Sequence, residues 1–413
     1  MGASLVVFLA FVAACSSRPI HGLPDAADLC TQHLQPTGTV QADVQRALIN
    51  AAAGSTLCFD DGTYLFTDEL SVSTRNITVR GTASGAVWDF RNQRDTARNG
   101  LLATGDGFTI SSLTIKNTAG DAIRTEGATG VTFQSLKVLW ETDALRIDDA
   151  GVGRSGAYAV YPVNCTNVIV DGCEVSGARD AALYIGQSTK AIVRNNNVHG
   201  NVAGIEIENS TDCEVYKNHT YDNTAGILVF NLPDLPREGG MRANLHDNIT
   251  ESNNRANFAV PGSIVAGVPV GIGVLIMAAA QTEVQKNTIQ NNNSTGVLIV
   301  SCFTNNNLQD CTSSTPGYYE WPESSYIHDN TFMMNGGSPD SLFSVLGQST
   351  LFDIMWDGDV NPAKAGDATI RQCIVRNPGA TFENFDSRNT FANKSNDLTP
   401  NQCDDATQPP ITF

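Results

Sequence analysis

The chain has 413 residues, enough for one large elongated domain or two compact ones. Its 43 acidic and 25 basic side chains leave a net charge of −18. That excess argues against nucleic acid, whose phosphates need a basic surface, and disfavours polyanions unless positive residues gather locally. Aspartate and glutamate suit calcium, which stays open as a cofactor although no EF-hand spacing and no nonapeptide calcium repeat occurs; the cofactor is unassigned and no residue is named as a metal ligand.

The first predicted element is the apolar run Leu5–Ala14, too short to span a bilayer and of the length of a signal-peptide core. Val12-Ala13-Ala14-Cys15 resembles the lipobox of bacterial lipoproteins. The resemblance implies lipidation at Cys15, and Ser16 and Ser17 imply sorting to the outer membrane. The expectation is an exported monomer that meets the membrane only through its lipid. An n-region without Lys or Arg departs from the pattern. The expected division is a signal peptide over 1–14, an N-terminal segment and cap over 15–69, a repeat domain over 70–392 and a tail over 393–413. An oxidising compartment permits disulfides, for which Cys30 with Cys58 and Cys302 with Cys311 are the favoured pairs and Cys373 with Cys403 a third. Cys165, Cys173 and Cys213 fall inside repeats, where a small buried thiol is an ordinary filler. No Cys-x-x-Cys knuckle points to zinc.

The stretch "VQADVQRALINAAAGSTLCFDDGTYLF" from Val40 predicts a short amphipathic helix with Leu48, Ala51 and Ala52 on one face, an N-terminal lid for the repeats. From Ile110 onward a six-residue pattern recurs: an apolar residue, two positions, a small residue or Asn, one position, then an apolar residue or Thr. It starts at Ile110, Phe133, Val170, Val193, Val215, Leu245, Val284, Ile327 and Ile370, with a base step of 22–23 residues plus insertions. Ten residues before several of these lie Ile123, Val160, Leu183, Ile205 and Val274, inside segments such as "GIEIEN" that alternate with period two. Turn residues punctuate the region and helical spacing is absent. Short strands with this self-similarity predict an all-β fold, a single right-handed parallel β-helix whose coils stack about 4.8 Å apart. Asn196, Asn218, Asn248, Asn287 and Asn330 are expected to stack in one turn, with Cys173 and Cys373 in the same column.

The lid and the Asn-rich coils resemble the right-handed β-helix proteins of the pectin-lyase-like superfamily over roughly 40–390. Ala157–Pro233 is most similar to a group of bacterial β-helix lipoproteins. The resemblance implies a polysaccharide as substrate or ligand. It also leaves open a non-catalytic glycan- or protein-binding module, or a periplasmic maturation factor like the copper-site accessory β-helix proteins. "YAVYPVN" from Tyr158 resembles the Tyr-Gly-x-Asp-Pro-His signature of alginate C5-epimerases, yet Tyr161 and Val163 stand where its Asp and His belong, so that chemistry is not carried over.

The ten-residue register predicts an outward column Arg124, Tyr161, Tyr184, Glu206, Leu228, Leu275 and Leu298, and a second column with Glu126, Gly186, Glu208 and Phe230. The first column is polar toward the N-terminus and aliphatic toward the C-terminus, so loops should cover its second half. "ALRIDD" competes with "AVYPVN" for one strand position, leaving Arg146 either in the ladder or beside it. A lyase would use Arg124 or Arg146 to neutralise a uronate and Tyr161 or Tyr184, its pKa lowered by that cation, as a base. A hydrolase would use two carboxyl groups, and Glu206 and Glu208, as successive outward residues, should lie roughly 6.5–7 Å apart. The insertion after Cys302 brings Tyr318, Tyr319 and Trp321, which serve either as sugar platforms or as pins holding the loop to the aliphatic ladder.

Overall fold

The computed structural model describes residues 29–413 except 83–84, 148–152, 305–310, 312 and 314–315. The signal-peptide core and Cys15 lie outside the described residues. Among the described residues the chain winds through three parallel sheets of twelve, eleven and ten strands, each strand pairing with its equivalent on the next coil.

The inward residues of each sheet form continuous apolar columns. Ile123, Val160, Leu183, Ile205, Ile227, Val274 and Val297 pair in sequence in the eleven-stranded sheet. Phe133, Val170, Val193, Val215, Leu245, Val284 and Ile327 do so in the twelve-stranded sheet. All are buried in one elongated core. The final repeat is shifted from the expected frame: Ile374, not Ile370, pairs with Ile327. A 3-10 turn over Ala368–Ile370 precedes the strand of Ile374.

The turn after the twelve-stranded sheet carries the expected asparagine column. Asn196 Nδ2 donates to Asn218 Oδ1 at 2.9 Å, 22 residues on, and Asn218, Asn248 and Asn287 repeat the contact at 3.0, 2.9 and 3.0 Å. Asn377 ends the column; Cys373, placed there by the sequence, lies in a strand instead and is bonded to Cys403. A second column, Asn201, Asn223, Asn253, Asn292 and Asn335, lines another corner and was not foreseen. Each amide also donates to an inward carbonyl, so a buried turn has its polar groups satisfied.

Helix α1 (Val40–Asn50) buries Val44, Ala47 and Leu48. The expected face was displaced: the helix stops at Asn50, so Ala51 and Ala52 lie beyond it and Ala52 is exposed. Disulfides join Cys30 to Cys58, Cys302 to Cys311 and Cys373 to Cys403, while Cys165, Cys173 and Cys213 are buried thiols. The tail is strapped down. Gln408 N and Ile411 N donate to Glu283 and Glu214 at 2.7 and 3.1 Å, and Lys190 Nζ reaches Thr412 O at 3.4 Å, all on the outer face of the twelve-stranded sheet.

Candidate functional site

The outward column of the eleven-stranded sheet has the predicted membership. Arg124 pairs with Tyr161, Tyr184 with Glu206, and Glu206 with Leu228, followed by Leu275 and Leu298. Arg146 does not belong to it. Its two-residue strand pairs antiparallel with Gly153–Arg154 in a separate ribbon, an excursion between coils, and Tyr161 holds the ladder position.

Three tyrosines close against one another. Tyr158 lies 4.5 Å from Tyr161 and 4.9 Å from Tyr184, and Tyr161 meets Tyr184 edge-on at 4.6 Å. The Arg124 guanidinium sits 4.7 Å from the centre of the Tyr161 ring and 3.3 Å from Glu126. The expected lowering of the phenol does not occur. Burial outweighs Arg124 and raises Tyr161 to about 12, and it holds Tyr158 and Tyr184 well above the usual phenol value. None of the three is a ready base near neutral pH.

Glu206 and Glu208 are 2 and 7 % exposed, too buried to meet a glycan chain directly. Their side chains converge on each other instead of standing a strand-spacing apart, so they form one acid unit and not the two separated arms expected. Burial, with each other's charge, pushes Glu206 well above its ordinary value; burial raises Glu208 to about 7 against hydrogen bonds that favour its charged form. The Tyr184 hydroxyl donates to Glu208 Oε1, and Gln187 Nε2 bridges both at 3.1 and 3.0 Å. Glu206 Oε2 is buried and receives no hydrogen bond.

Two further carboxyl groups complete the cluster, and sequence reasoning missed both. Asp121 opens the strand carrying Arg124, and Asp180 immediately precedes the strand carrying Tyr184. Both are half-buried, closer to solvent than the glutamates. Desolvation raises Asp121 to about 7, opposed by Arg124 and by the Tyr158 backbone amide. Desolvation raises Asp180 to about 6, opposed by the Tyr158 hydroxyl. The signal available was positional. Asp121 stands two residues before the inward Ile123, at the sheet corner, a column the ten-residue register also defines.

The aromatic loop borders the apolar cluster that runs from Tyr184 through Leu228 to Leu298. Tyr319 donates its hydroxyl to Gly240 O at 2.6 Å and Tyr318 packs on the cluster containing Leu228, Leu275 and Leu298. Trp321 sits 5.7 Å from Phe303, with Arg388 over both rings. Tyr318 and Tyr319 therefore pin a cover. Among the described residues no group of three His, Cys, Asp or Glu side chains is placed to hold a metal ion.

No curated protein matches the sequence. Among solved structures, the A-module of the Azotobacter vinelandii mannuronan C-5 epimerase AlgE6 is similar with a TM-score of 0.50 and 14% identity, over 78% of this chain and 85% of that one. A tailspike protein of E. coli bacteriophage HK620, solved in complex with a pentasaccharide, gives a TM-score of 0.50 and 13% identity, over 79% of this chain and 57% of that one. At such identities the likeness is one of fold. Residues 99–313, more than half of the chain, match the family described as the right handed beta helix region, and with three parallel sheets wound in register the protein belongs to that family.

Proposed function

We propose that the protein hydrolyses a neutral glycan, with Asp121 as the general acid and Asp180 as the carboxylate that activates water or attacks the sugar. One observation carries the reading: two half-buried carboxyl groups at one corner of the outer face are both linked to Tyr158, and desolvation raises both, to about 7 and about 6, so a proton can be held in this pair near neutral pH. Tyr158 ties them together, with its backbone amide toward Asp121 and its hydroxyl toward Asp180, and the Tyr158 and Tyr161 rings offer a sugar platform beside them. Glu206 and Glu208 act behind this pair as a proton-sharing support. By name, one of the similar structures is a mannuronan epimerase, and the other was solved with a pentasaccharide, which supports a glycan as the ligand.

The substrate is neutral on electrostatic grounds. A polyuronide would need a free cation beside the pair, and Arg124 already faces Glu126 while Arg179 acts on both Asp121 and Asp180. A lyase is further disfavoured because its base would be a phenol near 12. We also infer export and lipid attachment at Cys15, from the Val12–Cys15 motif together with three disulfides. Loss of alkyne-palmitate labelling in Cys15→Ala, with labelling of the parent chain, is the expected result.

The test uses the soluble chain without residues 1–15 on a panel of neutral glycans and polyuronides. New reducing ends should appear from a neutral glycan, and no unsaturated uronate absorbance should appear from any. Asp121→Asn and Asp180→Asn should each lower kcat/KM by about 10²–10⁴. Silence on every substrate would transfer the face to a non-catalytic glycan-binding role, the reading that the closed Tyr184–Glu208–Gln187 network also fits.

A further inference from the structure

The outer face of the twelve-stranded sheet carries two outward columns. Glu214, Asn244, Glu283 and Tyr326 pair in sequence in one, and Tyr216, His246, Gln285 and His328 in the other. The same arrangement occurs twice, two coils apart. Glu214 Oε1 meets His246 Nε2 at 3.0 Å, and Glu283 Oε1 meets His328 Nε2 at 3.0 Å. The other ring nitrogen of each histidine meets the aspartate that follows it, Asp247 or Asp329, at 2.7 Å. Each glutamate thus keeps one oxygen for another partner. The side chains of Glu283 and Glu214 are only 2 and 11 % exposed, so that partner is not open solvent.

What covers them is the chain's own tail, and the fit is one of period. Glu283 Oε2 accepts from Gln408 N at 2.7 Å, and Glu214 Oε2 accepts from Ile411 N at 3.1 Å. Between those amides stand Pro409 and Pro410, which have no N–H to satisfy. The prolines, and the residue before each, are confined to the extended polyproline II region. That helix has three residues per turn and advances about 9.3 Å in a turn, so amides three apart face the same way. Two coil steps measure about 9.6 Å. Gln408 and Ile411 are accordingly half-buried, while Pro409, Pro410, Thr412 and Phe413 are exposed. Upstream, Asp404 is held by the Tyr326 hydroxyl at 3.0 Å and by Arg376. Asp405, Ala406 and Thr407 are exposed, and among the described residues no hydrogen bond joins them to the sheet; Ala406 N donates only to Asp405 Oδ1.

We propose that this face is a recognition groove for an extended Pro-Pro segment of another polypeptide, and that the tail is its displaceable occupant within the chain. The two glutamates read main-chain N–H groups at a fixed spacing, so they select a backbone shape and not the chain that carries it. The unbonded stretch 405–407 lets the tail leave while the Cys373–Cys403 bond holds its base. The groove lies on a different sheet from the acid cluster and is independent of any glycan activity.

The probe is a fluorescein-labelled peptide of residues 404–413, followed by anisotropy. The receptor is the full chain carrying Gln408→Pro and Ile411→Pro, which removes both tail donors and leaves every groove residue in place. It should bind the peptide saturably. The parent chain should need at least about tenfold more peptide, because its own tail competes at high effective concentration. A peptide carrying the same two substitutions, and one with an Ala inserted between Pro410 and Ile411, should each bind at least about tenfold more weakly. Glu214→Ala in the receptor should weaken binding equally, with unchanged circular dichroism as the check on folding. A peptide that keeps Asp404, Gln408, Pro409, Pro410 and Ile411 and changes every other residue should stay within a few-fold. No saturable binding to the receptor, equal binding of the inserted peptide, or no effect of Glu214→Ala overturns the groove. Equal binding by the parent chain overturns the tail's place as its occupant. None of these results touches the hydrolase reading, which is judged by reducing ends alone.

Discussion

At the scale of single residues the proposed acid cluster would set both activity and stability. With Asp121 protonated below about 7 and Asp180 ionised above about 6, hydrolysis should peak between those values; the acidic limb should vanish from the residual rate of Asp180→Asn and the alkaline limb from that of Asp121→Asn. The same shifts act on folding. Each carboxyl binds its proton more tightly folded than unfolded, so its contribution to stability is full below its unfolded pKa and falls as pH rises through the folded one. The thermal midpoint of the parent chain should therefore drop between about pH 4 and 7 through this cluster. Asp121→Asn, which cannot ionise, should flatten that slope and be the more stable protein at pH 7.5; a parent midpoint unchanged by pH would refute the raised values. Tyr184→Phe separates the two halves of the site. It should remove a buried hydrogen bond at a cost of about 1–2 kcal/mol in urea denaturation while leaving kcat within a few-fold. Little of this was readable in the sequence. The register placed Tyr161, Tyr184 and Glu206 in one column, but burial is set by neighbours on other coils and by loops, and that burial turned the expected phenolate base into a phenol that keeps its proton.

At the scale of elements the asparagine column is the clearest link between sequence and fold. Asn248 donates to Val215 O and Asn287 Oδ1, both at 2.9 Å, and accepts from Asn218 at 3.0 Å. Asn248→Ala should cost about 3 kcal/mol, read as a lowered urea midpoint, because it strands buried groups on two neighbouring coils. Asn248→Asp should cost at least as much, since a charge there has no cation to meet. This column was legible because it repeats at the coil length; the second one, five residues after the first in every coil, carried the same period and was overlooked. The last coil shows the limit of pattern matching. "IRQCIV" fits the motif, yet Ile374 takes the inward place, since the Cys373–Cys403 bond and the preceding turn fix the frame.

At the scale of the whole molecule the eleven-stranded sheet divides into an acidic half and a covered aliphatic half, a division the residue types along the ladder announced. What covers the second half was not legible, because loops of irregular length carry no period. The Cys302–Cys311 bond clips one of them, and Cys302→Ala with Cys311→Ala should loosen that cover, seen as increased binding of a hydrophobic dye with the coil core's circular dichroism intact. The returning tail has a mechanical consequence. Residues 408–412 lie against strands whose members, Lys190, Glu214 and Glu283, belong to the middle of the stack. Anything joined after Phe413 therefore leaves from the molecule's waist. Pulled from that point, the chain should first peel away one backbone contact at a time at low force, then yield the last coils, so a force trace should begin with a soft ramp before its first sharp rupture. A molecule immobilised there would present both the acidic face and the coil ends to solution.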